Sequence, residues 1–222
     1  MITDTANPSF FTTKTPETII LLHGLWMKGG YLYLLAKRLR VQGYRTICFN
    51  YRSLQDTPSE TVTCLNQFIM GLEAEVIHFV GHSLGGLLVQ HLLTLYPQQR
   101  PGRVVALGSP FNGSIVAQRL YAHPLGRYLL GKSIKEDLLI KSLPTWEFTQ
   151  ALGVIAGIRG LGIGRLIVHL PPPHDGIVRV TETKLSGMHD HCLVNTHHNG
   201  LPFSSTVVQR IITFLRHGYF TR

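Results

Sequence analysis

The most constraining stretch lies mid-chain. An apolar run at 76–80 leads into Gly81-His82-Ser83-Leu84-Gly85-Gly86, and a leucine-rich segment at 84–96 follows, closed by Pro97. The run at 76–80 is too short for a helix and holds β-branched and aromatic residues, so it predicts a buried strand. Residues 84–96 predict a helix, stopped by the proline. A chain that turns from strand to helix within so few residues forces its central residue into a strained conformation. Glycines two before and two after remove side chains that would collide there. Ser83 then projects above the sheet edge, and the Leu84 amide faces it from a helix N-terminus. A reactive serine beside an anion-stabilising amide is the starting point of acyl-transfer chemistry. The five-residue pattern alone recurs by chance, and an ordinary glycine-rich turn is the bland alternative. The flanking strand and helix give the pattern its weight.

The rest of the chain supplies a matching frame. An apolar β-rich run at 18–22 is followed by His23-Gly24-Leu25-Trp26. Residues 30–41 predict a helix with Leu32, Leu35, Ala36 and Leu39 on one face, ended by Gly43. A strand at 45–50 precedes a helix opened by Pro58 and running to 72, with Val62, Leu65, Phe68, Ile69 and Leu72 at helical spacing. A further strand at 103–107 ends in Gly108-Ser109-Pro110. This alternation predicts right-handed crossovers and a mostly parallel sheet of about six strands with helices on both faces. The rhythm breaks over 114–150, which reads as one or two short helices inserted over the sheet's C-terminal edge, where open parallel sheets bind ligands. A plain crossover helix with its loop is the alternative. Strands are expected at 153–158 and 190–195, and a closing helix at 206–216 with Val207, Val208, Ile211, Ile212 and Leu215 inward. Residues 1–16 read as an irregular lead-in.

Composition narrows the function. A length of 222 residues fits one domain over 1–222, with 114–150 as a cap-like insertion. The formal charge of +9 raises nucleic acid as a partner, but the basic residues are scattered and no nucleic-acid motif accompanies them. Weak attraction to an anionic membrane surface is the most that the charge implies. No apolar run approaches the ~18 residues of a membrane span. The start of the chain lacks the pattern of a secretory signal. Cys48, Cys64 and Cys192 form neither a disulfide framework nor a zinc spacing. Cys48 and Cys64 fall on predicted elements, where buried free thiols are commonplace. Together these lead to the expectation of a cytoplasmic protein.

A serine hydroxyl needs a base near neutral pH and a partner that orients that base. Histidine is the natural base, and with twelve in the chain position must select. Taken together, His23-Gly24-Leu25, Gly81-His82-Ser83-Leu84-Gly85-Gly86, Leu107-Gly108-Ser109-Pro110 with Asn112-Gly113-Ser114, and Asp175-Gly176-x-Val178 with a late histidine resemble the α/β-hydrolases, notably small bacterial lipase/esterase-like members. The resemblance spans about residues 18–216. It implies an α/β-hydrolase fold and a chain order of Ser, then acid, then His, which Ser83, Asp175 and His198 follow. Asp175 also fits independently, following a proline run and preceding a turn-permitting glycine. Glu182, in a polar loop, and Asp190, before the last strand, compete with it. His197 competes with His198; the resemblance favours a histidine followed by a small or polar residue and then glycine, which is His198-Asn199-Gly200.

The same resemblance makes the amides of Leu25 and Leu84 the oxyanion donors and gives His23 a role in loop shape. His82 reads as a residue that packs or hydrogen-bonds locally. His189, Asp190, His191 and Cys192 lack a recognisable fourth-ligand spacing, so no metal is expected, and no cofactor. The expected activity is a serine hydrolase cleaving small-molecule or lipid carboxylic esters. A thioesterase or acyltransferase on the same triad, or a non-catalytic lipid- or partner-binding module, are the alternatives. Oligomeric state is not legible.

Overall fold

Thr18–Leu22 (β1) is completely buried, as a strand covered on both faces must be. Its side chains divide by the period of two. Ile20 and Leu22 join the core under one helical layer, and Ile19 and Leu21 join the core under the other. The computed structural model describes residues 16–220, apart from the side chain of Arg165. The lead-in expected over 1–16 lies outside the described residues except for Pro16.

Six strands form one sheet, and every pairing in it is parallel. After β1 come Arg45–Phe49 (β2), Ile77–His82 (β3), Arg103–Leu107 (β4), Ala151–Gly157 (β5) and Asp190–Val194 (β6). The sheet order is β2-β1-β3-β4-β5-β6. Central strands are almost wholly buried, while the edge strands β2 and β6 are partly exposed and more polar. Tyr33–Arg40 (α1) and Ser205–His217 (α7) cover one face; Pro58–Met70 (α2) and Leu84–Leu95 (α3) cover the other. Local chemistry sets helix starts. Thr57 and Glu60 form a reciprocal capping box ahead of Pro58 in α2, with bonds of 3.2 and 2.8 Å. Gly218, at φ 82°, ends α7 in a left-handed turn.

Between β4 and β5 lie Ile115–Tyr121 (α4), Pro124–Leu130 (α5) and a 3-10 helix, Gly131–Asp137. This is the helical insertion expected over 114–150. Two carboxylates tie it to the rest of the fold, one reaching in from Glu182 and one reaching out from Glu136 within the insertion. Buried Glu182 accepts from the Ile115 amide at 2.9 Å, and Glu136 accepts from Ser59 Oγ at 2.8 Å and pairs with His91 Nε2 at 2.9 Å. The glycine-rich stretch after β5 holds a short helix, Gly164–Ile167 (α6), that periodicity does not reveal.

Several expectations shift. Phe68 is exposed rather than buried, Cys64 is exposed, and Ile212 is only partly buried, while Phe214 takes an inward place in α7. The physical reason is geometric. A 3.6-residue period marks an apolar stripe, but the neighbouring element covers only its middle.

Candidate active site

The sheet order reverses between β1 and β3, because β2 lies on one side of β1 and all later strands on the other. Loops leaving two such adjacent strands diverge and open a crevice at their C-terminal ends. Leu25 follows β1 and Ser83 follows β3, so both stand at this crevice.

Ser83 has φ 55° and ψ −119°, a conformation that costs a non-glycine residue ~1–3 kcal/mol. The surroundings impose it. A Cβ on Gly81 would drive into the backbone of Gly85 and Gly86, and one on Gly85 would meet the carbonyls of Leu22 and His23. Ser83 is the N-cap residue of α3, yet its side chain makes no capping bond. An ordinary capping serine has extended backbone and gives its oxygen to the helix amides; the strained turn leaves the Ser83 hydroxyl to the crevice.

The loop after β1 is pinned on both sides of Leu25. The Gly24 carbonyl accepts from His23 Nδ1 at 2.9 Å and from the Met27 amide at 3.3 Å, and the Trp26 amide donates to Ser53 Oγ at 3.2 Å. The His23 ring stacks on Tyr51 at 4.1 Å, and burial pushes its pKa down, keeping it neutral. The amides of Leu25 and Leu84 find no hydrogen-bond acceptor among the described residues.

Asp175 and His198 meet in the interior. His198 Nδ1 donates to Asp175 Oδ2 at 2.7 Å, the His198 amide donates to the Asp175 carbonyl at 2.9 Å, and both residues are at most 3% exposed. Asp175 Oδ1 accepts from the amides of Ile177 and Val178 at 3.0 and 2.8 Å, across a turn in which Gly176 has φ 98°. Burial alone would raise the carboxyl's pKa. The charge and hydrogen bond of His198, with the two amides, outweigh it and hold the group below the usual carboxylate range. Gly108, at φ 59°, forms the floor: a Cβ there would stand 3.1 Å from His198 Nδ1 and 3.2 Å from Asp175 Oδ2.

Ser83 and His198 line one cavity of about 230 Å³. Its remaining walls are mostly apolar and include Val116, Ala117, Leu120, Leu130 and Leu139 of the insertion. Among the described residues no hydrogen bond joins Ser83 Oγ to the His198 ring, and such bonds commonly tighten only with substrate bound.

The profile of the alpha/beta hydrolase family matches residues 19–200. The chain belongs to this family. Solved structures of similar fold include a hydrolase from Pseudomonas aeruginosa (TM-score 0.67, 14% identity, 91% of this chain and 90% of that one). They also include the mature lipase BlEst2 of Bacillus licheniformis (0.63, 18%, 90% and 89%) and an esterase from Exiguobacterium antarcticum (0.62, 13%, 91% and 93%). No curated protein matches the sequence.

Within this hydrolase frame the competing residues do other work. Glu182 is buried, but it bonds Ile115 and Arg179 and anchors the insertion. Asp190 accepts from the amides of His191 and Phe220. His197 is half-buried, and His198 is the one bonded to Asp175. His191 Nε2 pairs with Thr183 Oγ1 at 2.9 Å, and among the described residues no three His, Cys, Asp or Glu converge as a metal site would require. No helix among the described residues is long and apolar enough to cross a membrane.

Two features escaped the sequence. His82 does not bond locally: its Nε2 donates to the His198 carbonyl at 3.1 Å, 116 residues away. Tyr31 Oη donates to the next carbonyl, that of Asn199, at 2.7 Å. Nothing in the spacing of these residues announces either contact.

Proposed function

We propose that this family member is a serine hydrolase of carboxylic esters, with Ser83 as nucleophile, His198 as base and Asp175 as its partner. The observation that carries the reading is the buried His198–Asp175 hydrogen bond at 2.7 Å facing the same apolar cavity as the uncapped Ser83 hydroxyl. The family's chemistry and the esterase and lipase named among structures of the same fold support an ester substrate over other acyl compounds.

In this mechanism His198 takes the Ser83 proton as Oγ attacks the carbonyl carbon. The amides of Leu25 and Leu84 hold the oxyanion, each contributing ~3 kcal/mol to the transition state. Asp175 orients the ring and stabilises its protonated form. The alcohol leaves with the proton from His198, and a water activated by the same ring releases the acid from Ser83. Residues 114–150 act as a cap within one domain and shape the acyl site. The formal charge of +9 adds weak attraction to anionic lipid, screened by salt.

Hydrolysis of p-nitrophenyl esters from acetate to palmitate, by the native protein and Ser83→Ala in parallel, tests the reading. Turnover that disappears with Ser83→Ala is the expected result. Equal slow rates in both proteins would overturn the ester assignment. A fluorophosphonate probe that labels Ser83 in a protein inactive on these esters would point to thioester or acyl-transfer chemistry on the same residues.

A further inference from the structure

A histidine base works only if its ring stands at a defined place relative to the nucleophile. Asp175 fixes one edge of the His198 ring through Nδ1. The His198 amide, donating to the Asp175 carbonyl at 2.9 Å, ties the backbone on its N-terminal side only. His198 begins a 3-10 helix, His198–Phe203, on the loop after β6, and loops are the mobile part of a fold. Here the carbonyls of that short helix are held from outside. His198 O accepts from His82, Asn199 O from Tyr31, and Phe203 O from Arg38 at 2.6 Å.

His82 is the residue immediately before Ser83 and the last of β3, fully buried. Its ring lies 4.8 Å from the His198 ring and 6.0 Å from that of Tyr31. Because a carbonyl only accepts, the proton must sit on Nε2. Burial pushes the pKa of His82 down to about 3, so the ring stays neutral and puts no second positive charge beside His198 when that ring takes a proton. The elbow that presents the nucleophile therefore also grips the segment that presents the base.

We propose that His82, with Tyr31, is a positioning residue for hydrolysis: the two side chains hold the consecutive carbonyls of His198 and Asn199 and set where the His198 ring stands relative to Ser83. This rests on the reading of His198 as the base.

Three variants test it. His82→Phe keeps a ring but removes the donor, leaving a buried carbonyl unpaired. His82→Gln returns a donor at nearly the place of Nε2, and Tyr31→Phe removes only a hydroxyl. His82→Phe is expected to lower kcat by about tenfold to a hundredfold with KM little changed, the pattern of a misplaced catalytic group. His82→Gln should recover to within about threefold of the native rate, and Tyr31→Phe should lose about threefold to tenfold. Exchange with water of the His198 Nδ1 proton, followed by proton NMR, should quicken in His82→Phe and slow again in His82→Gln. A native kcat in His82→Phe, or a loss that His82→Gln fails to recover, would overturn the proposal. Should His82→Phe fail to fold, unchanged kcat and unchanged proton exchange in Tyr31→Phe would overturn it. The NMR readout needs no substrate. If the His198 proton responds but no ester is hydrolysed, the clamp stands and the ester reading fails; if Ser83 hydrolyses esters and neither readout responds, the clamp fails alone.

Discussion

The elbow around Ser83 and the segment carrying Asp175 and His198 contrast sharply. The elbow is built from backbones that nearly touch: Gly81 against Gly85 and Gly86 within one tight turn, and Gly85 against Leu22 and His23 at the end of the neighbouring strand β1. Its geometry is steric and leaves no alternative. The acid–base segment is assembled at a distance. Asp175 and His198 are 23 residues apart, His82 reaches across 116 residues and Tyr31 across 168. Its geometry is polar, a set of individual hydrogen bonds each worth ~1 kcal/mol net. The proposed nucleophile is thus held by exclusion and its proposed base by attachment. The first should fail abruptly and the second by degrees.

The largest effect should come from Ser83→Ala. It removes the nucleophile without touching the glycines, so ester turnover should fall ~10⁴-fold or more while the unfolding midpoint barely moves. A residual rate within tenfold of native would break the assignment at its root. Gly85→Ala attacks the same region through sterics. Its Cβ has only backbone to displace, so we expect ~3 kcal/mol or more lost in urea unfolding. A loss below ~1 kcal/mol would mean that the elbow can flex, and the contrast with the acid–base segment would dissolve.

Acid should probe the attachment. His82 drops from an ordinary value of 6.5 to about 3 on folding. As pH falls below 6.5 the unfolded chain therefore takes the proton first. The stability this ring contributes is complete above 6.5 and is lost as pH falls towards 3, at ~1.4 kcal/mol per pH unit. His23, His78, His91 and His191, also lowered mainly by burial, act in the same direction. Asp175, lowered from 3.8, adds a loss as pH falls below that value. Stability measured between pH 4 and 6.5 should fall with acid in the native protein and less steeply in His82→Gln, by about one proton's worth of slope. Identical slopes would show that His82 is protonated in the fold.

The smallest effect should fall on the insertion, which is also held by attachment. Glu136→Ala cuts the partly exposed link to Ser59 and His91 and should cost about 1 kcal/mol. An unchanged urea midpoint would mean that Glu182, anchoring the Ile115 end, suffices alone.

The sequence by itself determined the strand–helix alternation, β1 and β4 to the residue, the strained serine between its glycines, and the helical break after β4. These rest on periodicity, on chain-breaking residues and on contacts between neighbours along the chain, all of which the order of residues encodes directly. It also placed Asp175 and His198 in order, through the resemblance of the surrounding motifs. Only the tertiary structure decided that His198 rather than His197 meets Asp175, that Glu182 serves the insertion, and that Gly108 underlies the acid–base pair. It alone brought Ser83, His198 and the apolar insertion residues around one cavity, and His82 to the His198 carbonyl. The physical reason is that such contacts depend on where a reversed sheet order brings loop ends together, and no local spacing records which donor will find which carbonyl across more than a hundred residues.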